Sequence, residues 1–230
     1  GQIVGGIIPL IYFARKNTSR LRIVRPEWDG RALLRISTNG CSELMSNISM
    51  SVVGMLYNTQ LMKYAGEDGV ASYGTIMYVN FVFISIFLGY SIGSAPIISY
   101  HYGAGNGDEL RSLFRKSLRL ISAWGVGLAV LAQLRAYPAA KVVVGYDSEL
   151  LAMTEQGCRI FCLVYLINGF NIFGSSFFTA LNNGVVSAVI SFLRTLVFQI
   201  GAVLILPGIF GMDGIWSAVV VAELLTLCVT

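Results

Sequence analysis

Charge is scarce in this sequence. Of 230 residues only 12% are Asp, Glu, Lys or Arg, about half the share typical of a soluble domain. With 55% hydrophobic residues and a mean hydropathy of +0.70, the chain has too little polar surface to face water on all sides. Histidine occurs once, at His101, with no metal ligand at suitable spacing. The four cysteines, Cys41, Cys158, Cys162 and Cys228, contain no CxxC pair and sit in apolar runs, where they read as packing residues. No Ser-His-Asp, Cys-His or zinc arrangement occurs, so nothing points to an enzyme or to an organic cofactor. The glycines of YGAGNGDE (102–109) do not follow a strand and are misplaced for a phosphate loop. A net charge of +4 raises nucleic acid as a partner, but the basic residues gather in loops without interleaved aromatics, which argues against it. A basic leader segment is also missing from GQIVGGIIPLIYF. Both ends lie inside apolar runs, and the chain reads as a fragment of a longer protein.

What is present is a series of long apolar runs. A helix crossing a bilayer needs about 20 residues. Such runs are expected at about 32–61, 70–102, 118–134, 151–181, 185–206 and 214–230, preceded by the end of a truncated membrane helix at 1–13. The segment 137–147 reads as a short connector. Residues 14–31 form a basic loop and 32–230 a bundle of six membrane helices. The expected fold class is therefore all-α integral membrane, with the lipid bilayer as its first partner.

Loop charge sets the orientation. Arg15, Lys16, Arg20, Arg22, Arg25, Arg31 and Arg35 cluster before the first full span, and Arg111, Arg115, Lys116 and Arg119 follow the second. The opposite loops hold Lys63, Arg135 and Lys141. Basic loops stay on the cytoplasmic side, so loops 14–31 and 103–116 are expected there. Pro96, with Gly89 and Gly93, suggests either close helix packing or a kink that serves as a hinge.

Ionisable groups at bilayer depth are costly and mark function by default. Glu43 lies about eleven residues into its helix, some 16 Å deep at about 1.5 Å per residue. Asn39 and Asn47, at i−4 and i+4, share its face. A carboxylate in that setting can exchange a proton or coordinate Na⁺, and Glu43 is the one place where a metal ion is considered. The alternative is a hydrogen-bonded tie between helices. Asn168 and Asn171 on the fifth run offer oxygen ligands and join Glu43 as candidate cation-coupling residues. Tyr73, Met77, Asn80 and Phe173 are candidates for a substrate cavity, since aromatic and thioether groups give adaptable contacts to an organic cation. Arg194 and Glu223 lie at similar depth on consecutive antiparallel runs, and are expected to form a structural intramembrane pair. Glu155 and Arg159, four residues apart, read as a local ion pair.

Three stretches carry a family resemblance. Gly93 to Leu118 (GSAPIISYHYGAGNGDELRSLFRKSL) resembles a helix-loop-helix of multidrug and toxic compound extrusion (MATE) transporters. Phe177 to Thr226 resembles the last two helices of that family, and NGCSELMSNISM (39–50) the first helix of its C-terminal lobe. The likeness covers nearly the whole chain. It implies a twelve-helix transporter of two six-helix lobes, of which this chain is the C-terminal one, helices seven to twelve. Its partner would be the N-terminal lobe of the same transporter. The implied activity is export of small-molecule organic cations from the cell across the plasma membrane, by antiport with Na⁺ or H⁺. Glu43 falls where some members carry a cation-coupling carboxylate. Those members often place an acidic residue on the tenth helix, where this chain has Asn168 and Asn171. The alternatives are a lipid-linked oligosaccharide flippase or polysaccharide exporter of the same superfamily, or a membrane scaffold that transports nothing.

Overall fold

A computed structural model describes residues 2–15 and 28–230, without the side chains of 2, 4, 38, 39, 41–43, 45 and 46. The chain divides into two compact units, Gly1–Arg35 and Ile36–Thr230. All regular structure among the described residues is helical. Helix α1 spans Gln2–Ala14 and contains Pro9.

Helix α2 spans Gly30–Gly103 and begins where the Asp29 carboxylate accepts from the Arg31 and Ala32 amides. One residue breaks its helical geometry, Gly66, with φ 61° and ψ −146°. A side chain would make that conformation costly, so glycine is the residue that permits it. The chain folds back there, and Tyr57 on the first arm (30–65) stacks on Tyr73 of the second (67–103), with centroids 5.0 Å apart. Helical geometry continues through Pro96, so the break that shapes α2 is at Gly66.

Each later junction has its own stop and start signals. Gly105 takes φ 69° in the loop after α2, and Asn106 then caps α3 (Gly107–Val144) by accepting from the Glu109 amide. Asp147 caps α4 (Ser148–Phe161) through the Glu149 and Leu150 amides. A 3₁₀ turn, Cys162–Val164, joins α4 to α5 (Tyr165–Ala180). After the Asn182 turn at φ 58°, Asn183 caps α6 (Gly184–Phe192). A seven-residue π-helical stretch, Leu193–Gln199, then leads into α7 (Ile200–Phe210). Gly211, at φ 59°, turns the chain into α8 (Met212–Leu227).

Read along the chain, these elements make six successive rods after α1. Asn47–Gly103, Gly107–Val144, Ser148–Ala180 and Gly184–Phe210 are each long and apolar enough to cross a membrane, and the first is doubled back on itself. The 137–147 segment is not the short connector expected from its sequence. Helix α3 continues through Pro138 to Val144, because Ala136, Ala140 and Val144 recur every four residues and are buried, the last two against Leu150.

The bundle centre is built from α4, α5 and α8 with the arms of α2 and α3 around them. Lipid tails are as apolar as leucine, so close packing between small residues replaces the hydrophobic effect as the cohesive force. A β-carbon on Gly157 would stand 2.7 Å from the Trp216 ring, and one on Gly169 would stand 2.6 Å from the Phe87 ring. These glycines let aromatic side chains lie directly on neighbouring backbones.

Candidate functional site

The π-helical stretch positions the principal polar feature of the bundle. An i→i+5 segment is uncommon and often coincides with a functional position. Arg194 is its second residue. Its Nε donates to Glu223 Oε1 at 2.8 Å, and its Nη2 lies 2.7 Å from the same oxygen. Nη2 also donates to Asn168 Oδ1 at 2.6 Å. The other carboxylate oxygen of Glu223 accepts from Asn171 Nδ2 at 2.6 Å, and that nitrogen also donates to the Glu223 backbone carbonyl at 2.9 Å. Glu223 is 4% exposed, Asn168 3% and Asn171 0%.

Three consecutive rods thus meet in one charged junction. Asn168 and Asn171 are three residues apart on α5, so they share a face and grip the pair from one side. An isolated charge would be expelled from such a site, but a mutually hydrogen-bonded pair persists because each charge is the other's solvent. Acceptor capacity is left over. Asn171 Oδ1 is buried with no partner. The Tyr57 hydroxyl, buried beside Gln199 and the Val219 backbone, also lacks a partner of hydrogen-bonding geometry. A hydroxyl ladder continues along α5 and α6. Ser175 lies 2.8 Å from Ser187 and 3.3 Å from Ser191, and Thr179 donates to Ser187.

The other sequence candidates fall in separate places. The side chains of Glu43 and Asn39 lie outside the described residues; their backbone is part of α2. Asn47 is exposed on the first arm. Tyr73, Met77 and Asn80 lie along the second arm. There Asn80 Nδ2 is 3.9 Å from Met77 Sδ, and Asn80 Oδ1 is buried without a partner. Phe173 does not join them. It lines a cleft of about 610 Å³ whose walls include none of those three residues. Tyr73 follows the Gly66 break by seven residues, whereas the Phe173 cleft touches Tyr102, at the far end of the same arm, and Gly107, at the start of α3. Of the four residues expected to share a cavity, this cleft takes in Phe173. Of the residues expected to group with Glu43, Asn168 and Asn171 are engaged by Arg194 and Glu223.

Sequence reasoning passed over several contacts. Gln156 donates to Asp213 at 2.7 Å, and Gln133 to the Arg159 carbonyl at 2.6 Å. The Glu155–Arg159 ion pair expected from their spacing is present, at 2.8 Å. The two glutamines carried a faint signal, being amides within otherwise apolar helices.

Rods of bilayer length enclosing a buried charged junction define a class: a multi-pass integral membrane protein with polar groups turned inward. A sequence model of the MatE family matches residues 44–204, and the chain belongs to that family. It is 24% identical over 234 residues to the multidrug export protein MepA of Staphylococcus saprophyticus, covering 99% of this chain and 49% of the relative. The MepA of Staphylococcus haemolyticus is 23% identical, with 98% and 49% covered. A probable multidrug resistance protein of Bacillus subtilis, YoeA, is 30% identical over 91 residues, 40% of this chain and 20% of that protein. Among solved structures, a MATE protein in complex with MaL6 superposes with a TM-score of 0.90 at 19% identity, covering 99% of this chain and 52% of that one. An outward-facing multidrug resistance MATE transporter gives 0.89 at 19%, with 99% and 51% covered. The chain spans about half the length of the curated relatives it matches.

Proposed function

We propose that this chain is the C-terminal lobe of a secondary transporter that exports organic cations and other drugs in exchange for Na⁺ or H⁺. It works with an N-terminal lobe of the same transporter in the plasma membrane, with loops 14–31 and 103–116 on the cytoplasmic face. The observation that carries this reading is the buried Arg194–Glu223 pair with its two asparagines, inside a bundle whose outer surface is apolar. Charges at that depth are retained where solutes or ions pass. Membership of the MatE family and the names of the MepA relatives support the same reading.

In this mechanism the two lobes rock about a cavity near the midplane. A bound cation shifts the balance only through its different affinity for the two states. Glu43, flanked by Asn39 and Asn47, is the group assigned to that difference. Asn168 and Asn171 contribute indirectly, by holding Arg194 and Glu223 together as a neutral unit. Tyr73, Met77 and Asn80 form the substrate-facing surface of the second arm.

The test uses the full-length protein in proteoliposomes. Glu43→Gln removes the ionisable group and keeps the shape. Ethidium export driven by a Na⁺ or proton gradient is expected to fall about a hundredfold or more, the effect typical of losing one group that acts in proton transfer. Undiminished, still gradient-dependent export would remove Glu43 from coupling. Reconstituted singly, this lobe is expected to transport nothing.

A further inference from the structure

The Phe173 cleft has a chemistry of its own. Rings from Phe114, Phe173 and Phe177 form its wall, with centroids 5.1 to 6.2 Å apart. Its volume, about 610 Å³, is in the usual range of ligand pockets. Arg111 and Arg115 are among the residues that line it. On α3, Arg111, Phe114, Arg115 and Leu118 follow the i, i+3, i+4, i+7 pattern, so one helical stripe interleaves two cations with two apolar groups. Neither arginine is ion-paired among the described residues, although Asp108 and Glu109 stand in the same first turn of the helix. Both guanidiniums are exposed. An apolar slot lined by two unpaired cations is complementary to an amphiphile with an anionic head. It is a poor site for an organic cation, which the two arginines repel.

We infer that this cleft binds an anionic phospholipid, with the phosphate between Arg111 and Arg115 and an acyl chain against the phenylalanine wall. The tail gains little from leaving lipid for an apolar slot, so selectivity rests on the headgroup. A Lys or Arg near an anionic lipid surface contributes about a fivefold preference, so the two together give roughly twenty-fivefold. The lipid bridges α3 to α5 and the end of α8, since the cleft walls come from all three. This inference is independent of the transport reading, because it concerns an anion and residues other than Glu43, Tyr73, Met77 and Asn80.

Native mass spectrometry of the full-length protein in detergent, titrated with dioleoyl phosphatidylglycerol or dioleoyl phosphatidylcholine, tests it. The unaltered protein is expected to retain phosphatidylglycerol at least tenfold better than phosphatidylcholine. The double variant Arg111→Gln/Arg115→Gln is expected to lose that preference, while Lys116→Gln, one residue outside the cleft wall, keeps it. Leu110→Trp, which fills the slot and leaves both charges, is expected to weaken phosphatidylglycerol retention as well. Equal retention of the two lipids, an unchanged double variant, or an equal loss with Lys116→Gln would overturn the proposal. So would full competition by millimolar inorganic phosphate, which would mark a free-anion site. Shielding of an Arg111→Cys thiol from an impermeant maleimide in lipid-free detergent would assign the cleft to the other lobe instead.

Discussion

The α4–α5 rod and the doubled α2 rod both have the length and apolar character to cross a bilayer, yet packing treats them in opposite ways. Half of the membrane-length window in Ser148–Ala180 is buried, against 17% in Asn47–Gly103. The buried rod is the one with polar and small groups: Thr154, Gly157, Asn168 and Asn171 all face inward. The exposed one turns Met55, Tyr78, Val82 and Ile92 outward. In water the apolar face seeks the core. Here the apolar face has a good solvent in lipid tails, and the groups that need partners take the interior. The polar and small groups of the α4–α5 rod therefore take the interior, beside large side chains such as Phe161 and Tyr165.

The sharpest way to break that comparison is to unpair the junction. Arg194→Met in the full-length protein takes away the cation and the donor to Glu223 Oε1 and Asn168 Oδ1, leaving the carboxylate held by Asn171. Removing one member of a buried pair costs about 3–5 kcal/mol, and is expected to show as a large fall in thermal unfolding temperature and in yield. Arg194→Met with Glu223→Met removes both charges, and most of the loss is expected to return. A single variant as stable as the parent would mean that the pair is solvated and that the inward-polar argument fails at its centre.

Reading that junction from sequence succeeds only to a point. Arg194 and Glu223 stand out because a charge in an apolar run is rare, and their distances from the turns at Asn183 and Asp213 bring them to one level. The asparagines stand out for the same reason, but spacing along α5 says which face they occupy and not which helix they meet. The π-helical stretch at Leu193–Gln199 has no sequence signature, because i→i+5 bonding is chosen by what the wider turn allows Arg194 to reach. Helix count was legible from run length, since a bilayer imposes a minimum span. The end of α3 was not, because Tyr137, Pro138 and Lys141 look like an interface, while the alanines that hold the helix against α4 look unremarkable. Glu43 announces itself by depth alone, and its side chain lies outside the described residues.

A smaller effect is expected where glycine serves close approach. Gly157→Ala puts a methyl group 2.7 Å from the Trp216 ring, and Gly169→Ala one 2.6 Å from the Phe87 ring. Overpacking of this kind costs about 1–3 kcal/mol. On the α2 rod nothing stands within 4 Å of a β-carbon at Gly54 or Gly89. Alanine there is expected to be neutral or slightly stabilising, because it reduces the freedom of the unfolded chain without strain. Unfolding temperatures of the four variants would rank the two rods directly. Equal losses at all four positions would show that helix flexibility, and not contact with a ring, sets the cost.

The smallest effect sharpens the comparison from its outer side. Met55 is 72% exposed and Tyr78 73% exposed, and neither side chain is held by a partner whose loss would be felt within this lobe. Met55→Leu and Tyr78→Phe are expected to change stability by no more than about 0.5 kcal/mol, the range of surface substitutions. Where this face meets lipid, the apolar replacement is harmless. The reverse change, Met55→Gln, is expected to cost more than Met55→Leu in a bilayer and about the same in a mild detergent with water access. Measuring both variants in nanodiscs and in detergent separates a lipid-facing α2 from one covered by the other half of the transporter. If the glutamine is tolerated equally in both media, that part of α2 faces protein or water, and its exposure marks an interface between the lobes.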